Sequence, residues 1–240
     1  MTGLERILDN HGCKIWTTST GDGSPVIMIN GGPGCDDYLG EVAGLIDDTC
    51  QVVRFEPRGC GRSDYDGNYD FATMVSDIEF VRESHGFERI ILVGHSFGCD
   101  IALAYTMFNP GRVAGLIGIA GGRIVNDRDW HADYKRNKTG RGEVNPIEFT
   151  ADPRVNEIGN QTYKEYLKRR DLLIDIATLA VPATYIAASQ DIRPNWPIKQ
   201  LAALMQARYV EIEGAAHWIW LTHPDELQQA LRQAISAMSP

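Results

Sequence analysis

Six short apolar runs set what this chain can fold into: residues 26–29, 51–55, 90–93, 113–120, 184–188 and 209–212. Most are apolar at successive positions rather than at every second one, the mark of a strand covered on both faces. Between them lie segments with helical spacing. Phe71, Met74, Val75, Ile78 and Val81 recur at steps of three and four, as do Leu227, Ala230, Leu231, Ala234 and Ile235. Strands that alternate with helices pair in parallel, so an α/β fold is expected, with a mainly parallel sheet and helices on both faces. Thr222 is placed to cap the last helix, with Pro224 in its first turn. At 240 residues the chain is long enough for one such core, and 1–240 reads as one domain.

One region breaks the rhythm. Residues 123 to about 178 hold no good strand and are polar, with scattered aromatics: Trp130, Tyr134, Phe149, Tyr163 and Tyr166. A small helical cap, inserted between two core strands, is expected there. Both its ends then lie at the carboxyl edge of the sheet, where α/β proteins bind ligands.

Chemistry concentrates at that edge. Gly94-His95-Ser96-Phe97-Gly98 follows the run 90–93 and precedes the apolar positions Ile101, Leu103 and Ala104. A serine at such a strand-to-helix turn is exposed at the top of the sheet, and the flanking glycines let strand and helix pass closely. Its hydroxyl needs a base, and in this architecture the order along the chain is Ser, acid, His. His217 lies just past the run 209–212; His223, before Pro224, is the competing histidine and reads as a surface residue. Asp191 follows the run 184–188 and is the expected acid, a better fit than Asp175 or Asp225. Asn30-Gly31-Gly32-Pro33-Gly34 ends the first run. Glycines there can turn backbone N–H groups inward, so Gly32 and Phe97 are the expected oxyanion donors. Trp130, Tyr134 and Trp218 are the expected substrate contacts.

Taken together, the segments 30–34, 58–63 (Arg-Gly-Cys-Gly-Arg-Ser) and 94–98, with Asp191 and His217, resemble the α/β-hydrolase superfamily across nearly the whole chain. The GGPG and RGxGxS segments are similar to those of the proline iminopeptidase (prolyl aminopeptidase) group. That resemblance implies cleavage of an N-terminal residue, often proline, from a small peptide. Three features depart from it: Asn30 replaces the group's usual His, Glu56 its usual Asp, and the insertion is shorter than the usual cap. The cap of that group supplies carboxylates for the substrate ammonium. Glu143, Glu148, Asp152, Glu157 and Glu165 are available here, but most have basic neighbours in sequence.

Other classes find less support. The net charge of −9 repels nucleic acid and anionic lipid, and the one basic run, Lys168-Arg169-Arg170, reads as a solvated helix face. The first ten residues carry Glu5, Arg6 and Asp9 and no apolar stretch, so no signal peptide is expected. The cysteines, 13, 35, 50, 60 and 99, are odd in number and scattered, which suggests a reducing compartment, the cytoplasm. Neither a metal motif nor a nucleotide-binding glycine pattern is present, so no cofactor is expected. The partner expected is a small-molecule or short-peptide substrate. An esterase-like serine hydrolase, an aminopeptidase and a non-catalytic binding protein on the same fold remain as readings. A complete triad argues against the last.

Overall fold

The computed structural model describes residues 3–124, 128–142 and 147–238. Its strands are β1 (Leu4–Asn10), β2 (Cys13–Thr20), β3 (Ser24–Ile29), β4 (Cys50–Phe55), β5 (Ile90–His95), β6 (Val113–Ile119), β7 (Ala183–Ala188) and β8 (Arg208–Ile212). Its helices are α1 (Gly40–Gly44), α2 (Phe71–Ser84), α3 (Phe97–Phe108), α4 (Arg128–Arg141), α5 (Pro153–Tyr166), α6 (Leu172–Ala177), α7 (Trp196–Leu204), α8 (Ile219–Thr222) and α9 (Pro224–Met238). One sheet runs in the order β1-β2-β4-β3-β5-β6-β7-β8. From β4 through β8 every neighbouring pair is parallel, whereas β2 meets both β1 and β4 antiparallel.

All six expected strands are present, each within two residues of its expected bounds. The parallel strands send alternate side chains to opposite layers, as the two-residue period requires. Ile27 and Ile29 of β3, with Ile90 and Leu92 of β5, face α2, α3 and α7. Val26 and Met28, with Ile91 and Val93, face α1 and α9. The hairpin β1–β2 was not anticipated. It turns at His11 and Gly12, both at positive φ (53° and 94°), the conformation of a tight two-residue hairpin. As the edge strand, β1 leaves Leu4 to Ile7 exposed, and so carries little apolar signal.

The segment between β6 and β7 is helical where it is described, in α4, α5 and α6, as expected, but only its start lies at the carboxyl edge: β7 runs parallel to β6, so the segment must end at the opposite edge. Thr222 does not cap α9. It closes the short turn α8, and its hydroxyl lies 2.8 Å from His223 Nδ1, while the carbonyl of His223 accepts the first bond of α9. Lys168 and Arg170 are exposed, while Arg169 pairs with Asp175. All five cysteines are free and buried. Among the described residues no helix is long and apolar enough to cross a membrane.

The strand order places a crevice. After β3 the chain crosses to β4 on one side, while β5 pairs with β3 on the other. The loops after β3 and β5 therefore diverge at a switch point, where ligands bind in open α/β sheets. Two close approaches hold that point together. A Cβ on Gly94 would meet the carbonyl oxygen of Gly98 at 2.4 Å, and one on Gly98 would meet that of Ile29 at 2.2 Å. The start of α3 thus lies directly on the ends of β5 and β3, with no room for a side chain at either crossing. Gly98→Ala should lower unfolding free energy by about 1–3 kcal/mol, because backbone atoms must shift to admit the methyl. Urea denaturation measures this, and an unchanged midpoint would show that the crossing has slack.

Candidate functional site

Ser96 follows β5 and immediately precedes α3 with φ 55° and ψ −122°, a strained conformation for a non-glycine residue. Its N–H donates to the Ile119 carbonyl at 2.9 Å, so the strained turn is tied to the end of β6. The side chain lines a cavity of about 470 Å³, shared with Gly32, Phe97 and Asp191.

Asp191 and His217 come from neighbouring loops that are laced together. Ser189 N–H donates to the Ile212 carbonyl (3.1 Å), Gln190 N–H to the Ala215 carbonyl (2.8 Å), and Gly214 N–H to Ser189 Oγ (2.9 Å). The two residues, each 7% exposed, meet with Asp191 Oδ2 2.6 Å from His217 Nδ1. Burial pushes the Asp191 carboxyl up. His217, and then Arg193, more than offset this, so it sits below the usual carboxylate value. An ionised carboxylate only accepts, so the proton between them lies on Nδ1 and the Nε2 of a neutral His217 is left as the basic nitrogen.

A second histidine supports the first from behind. Gly31 N–H donates to Tyr38 Oη at 2.5 Å, and Tyr38 Oη lies 2.8 Å from His95 Nδ1. Since Tyr38 has one proton to give, it donates to Nδ1, which leaves His95 Nε2–H to donate to the His217 carbonyl at 3.2 Å. Burial, then the nearby His217, holds His95 well below its ordinary pKa and neutral, as this pattern requires. The loop after β3 is thereby joined to the backbone of His217. It also discriminates between the two glycines: the N–H of Gly31 is committed to Tyr38, whereas Gly32 lines the cavity with Phe97.

Of the expected substrate contacts, Trp130 and Tyr134 line the cavity, their rings stacked with centroids 5.3 Å apart. Trp218 does not. It packs against Tyr38 and His95 at 5.2 and 5.1 Å, inside an aromatic cluster with Phe149 and Trp220. A residue next to His217 in sequence need not line the same cavity, and Trp218 packs into this cluster instead. His223 lies half-buried near Gly214, away from this cavity. Among the acids considered for an ammonium, Glu143 lies outside the described residues. Glu148, Asp152, Glu157 and Glu165 do not line the cavity; Asp152 caps α5, and Glu165 pairs with Lys168 at 2.7 Å.

The cavity also takes in charged residues that sequence reasoning passed over: Asp100, Arg123, Lys164 and Arg193. Only a helical projection would have shown Asp100 one turn from Ser96, and only the packing of α5 brings in Lys164. The RGxGxS segment, by contrast, is structural. Glu56 takes Arg62 on its carboxylate, and Arg58 pairs with the buried Asp77 at 2.5 and 2.8 Å.

The chain matches the model of the alpha/beta hydrolase fold over residues 24–146 and belongs to that family. It is 31% identical over 133 residues to a putative proline iminopeptidase of Mycoplasma genitalium, an alignment covering 53% of this chain and 42% of that one. It is 41% identical over 100 residues to a proline iminopeptidase of Neisseria gonorrhoeae, covering 40% and 32%. The chain thus spans well under half the length of these curated relatives. A thermophilic esterase from Thermogutta terrifontis has the same fold, with a TM-score of 0.79 at 18% identity over all of both chains.

Asp100 supplies a test of the site's electrostatics. It is 5% exposed, and its carboxylate accepts from Arg123 N–H at 2.8 Å. Burial pushes its pKa up to about 6, against the pull of Arg123. Between pH 3.8 and about 6 the folded chain holds a proton that the unfolded chain releases. Acidification through that window is therefore stabilising, and the contribution is lost as pH rises above it. Asp100→Asn keeps an acceptor but not the charge. From pH 4 to pH 7.5 its stability relative to the parent should improve by on the order of 3 kcal/mol. A difference independent of pH in paired denaturation curves would contradict the buried charge.

Proposed function

We propose that this chain is a serine hydrolase acting through an acyl-enzyme on a small ester or amide, with Ser96 as nucleophile, His217 as base and Asp191 as the orienting acid. The observation that carries this is the buried 2.6 Å contact between Asp191 and His217, with Asp191 lining the same cavity as Ser96, a serine held at positive φ where α3 begins. In this reading Nε2 of His217 takes the Ser96 proton as Oγ attacks the carbonyl carbon. Asp191 fixes the tautomer and stabilises the imidazolium. The N–H groups of Gly32 and Phe97 receive the oxyanion, each worth about 3 kcal/mol of transition-state stabilisation. His217 returns the proton to the leaving group, and water repeats the cycle on the acyl-enzyme. The helices α4 to α6 serve as a cap that shapes the pocket.

Esters suit this pocket better than aminoacyl substrates, although the curated relatives are proline iminopeptidases. A free N-terminal ammonium needs an acid to hold it. Among the described cavity residues the carboxylates are Asp100, committed to Arg123 N–H, and Asp191, committed to His217.

A fluorophosphonate probe should label Ser96, and Ser96→Ala should lower turnover on the order of 10⁶-fold. His217→Ala should be similarly impaired, and His223→Ala should keep most activity. Peptide mapping that finds equal labelling in Ser96→Ala, or a dead His223→Ala beside an active His217→Ala, would assign the roles wrongly. Since neutral His217 is the base, kcat/KM for a slow ester should fall on acidification as that side chain gains its proton.

A further inference from the structure

On a chain with a net charge of −9, the cavity beside Ser96 is lined by three basic side chains: Arg123, Lys164 and Arg193. They come from three separate places, the loop after β6, helix α5 and the loop after β7, so they converge through the fold rather than along the sequence. Two are held by aromatic rings of α4. The Arg123 guanidinium carbon lies 4.5 Å from the centre of the Trp130 ring, and that of Arg193 lies 5.6 Å from the centre of the Tyr134 ring. A guanidinium placed over a ring keeps its charge and its fork of N–H donors, the geometry that matches a planar carboxylate. Neither Arg123 nor Lys164 is ion-paired with a described carboxylate. Arg193 stands 3.4 Å from Asp191 Oδ1, which places the third cation at the candidate acid itself.

Asp100 and Asp191 line the same cavity, so with both ionised the three cations still leave it one positive charge in excess, which an anionic group of a substrate would balance. We infer that the substrate carries a carboxylate, bound by Arg123, Lys164 and Arg193, within reach of the ester or amide bond attacked by Ser96. The inference rests on the proposed hydrolase reading for its reaction, but not for the binding of the anion. It also explains the poor fit to an N-terminal ammonium, which those cations would repel.

The test separates the two. Binding of 4-nitrophenyl hemiglutarate and of the neutral 4-nitrophenyl pentanoate is compared by calorimetry on Ser96→Ala protein, where turnover plays no part. Hydrolysis of both, and of 4-acetoxybenzoate, whose carboxylate is on the leaving group, is then measured on the parent protein. The hemiglutarate should bind at least tenfold tighter than the pentanoate. Arg123→Gln and Lys164→Gln should each cut that ratio severalfold; Lys164 is exposed, so its variant tests the charge without risk to folding. In turnover one anionic ester should lead, the hemiglutarate if the anion belongs to the acyl group and the acetoxybenzoate if it belongs to the leaving group. Equal or weaker binding of the hemiglutarate, together with no preference for either anionic ester, overturns the inference. Preferential anion binding without Ser96-dependent hydrolysis of any ester would instead overturn the hydrolase reading and leave the anion site standing.

Discussion

The site depends on how closely three backbones pass at the end of the sheet. The start of α3 lies against the carbonyl of Ile29 at Gly98, and β5 lies against Gly98 at Gly94. Those contacts force a turn so tight that Ser96 adopts a φ of 55°. The strain, on the order of 1–3 kcal/mol, persists because the surrounding strands over-determine it. Gly121 extends the same constraint to β6, since a Cβ there would meet the Ser96 carbonyl oxygen at 2.1 Å. The exposure of the hydroxyl is thus a consequence of main-chain packing, set before any side chain reaches it.

The rest of the site is fastened to that turn by polar links between loops rather than by apolar packing. The chain of bonds from Gly31 through Tyr38 and His95 joins the loop after β3 to the backbone of His217. On the other side, Asp152 N–H donates to the Gly34 carbonyl and Asn156 Nδ2 to the Pro33 carbonyl, which secures the start of α5 to the same loop. One loop therefore carries the candidate oxyanion donor, steadies the candidate base and anchors a cavity-lining helix. Its glycines answer to three neighbours at once, which accounts for a run of them better than any single role does.

What could be read from sequence divides along physical lines. Strands buried on both faces announce themselves by continuous apolar runs, and the candidates Ser96 and Asp191 follow two of them closely, whereas His217 lies beyond β8, an edge strand with one buried residue. The β1–β2 hairpin was not legible, because an exposed edge strand such as Leu4–Asn10 needs no apolar face. Tyr38 and His95 escaped because their importance lies in a hydrogen-bond path between loops distant in sequence. Lys164 looked like an ordinary helix-surface charge beside Glu165, but it is Lys168 that pairs with Glu165, while Lys164 turns to the cavity. Trp218, expected as a substrate contact, packs instead against Tyr38 and His95 and is not among the cavity-lining residues.

The family match and the cavity lining overlap only in part: Arg123, Trp130 and Tyr134 lie inside the match, whereas Lys164 and Arg193 do not. The family match ends at residue 146, so it contains the glycine loop, the RGxGxS segment and Ser96. Within it, Glu56, Arg58, Arg62 and Ser63 spend their polar groups on one another and on β2 and α2, and none of them lines the cavity. Those residues report on how the scaffold is tied. The helix that contributes Lys164 and the loop that contributes Arg193 lie beyond the matched region, as do Asp191 and His217. A carboxylate-recognising pocket and an ammonium-recognising one could therefore share every motif in the first half of the chain. Only the charge of a few side chains around the cavity would separate them, and in this chain Arg123, Lys164 and Arg193 stand there beside Asp100 and Asp191.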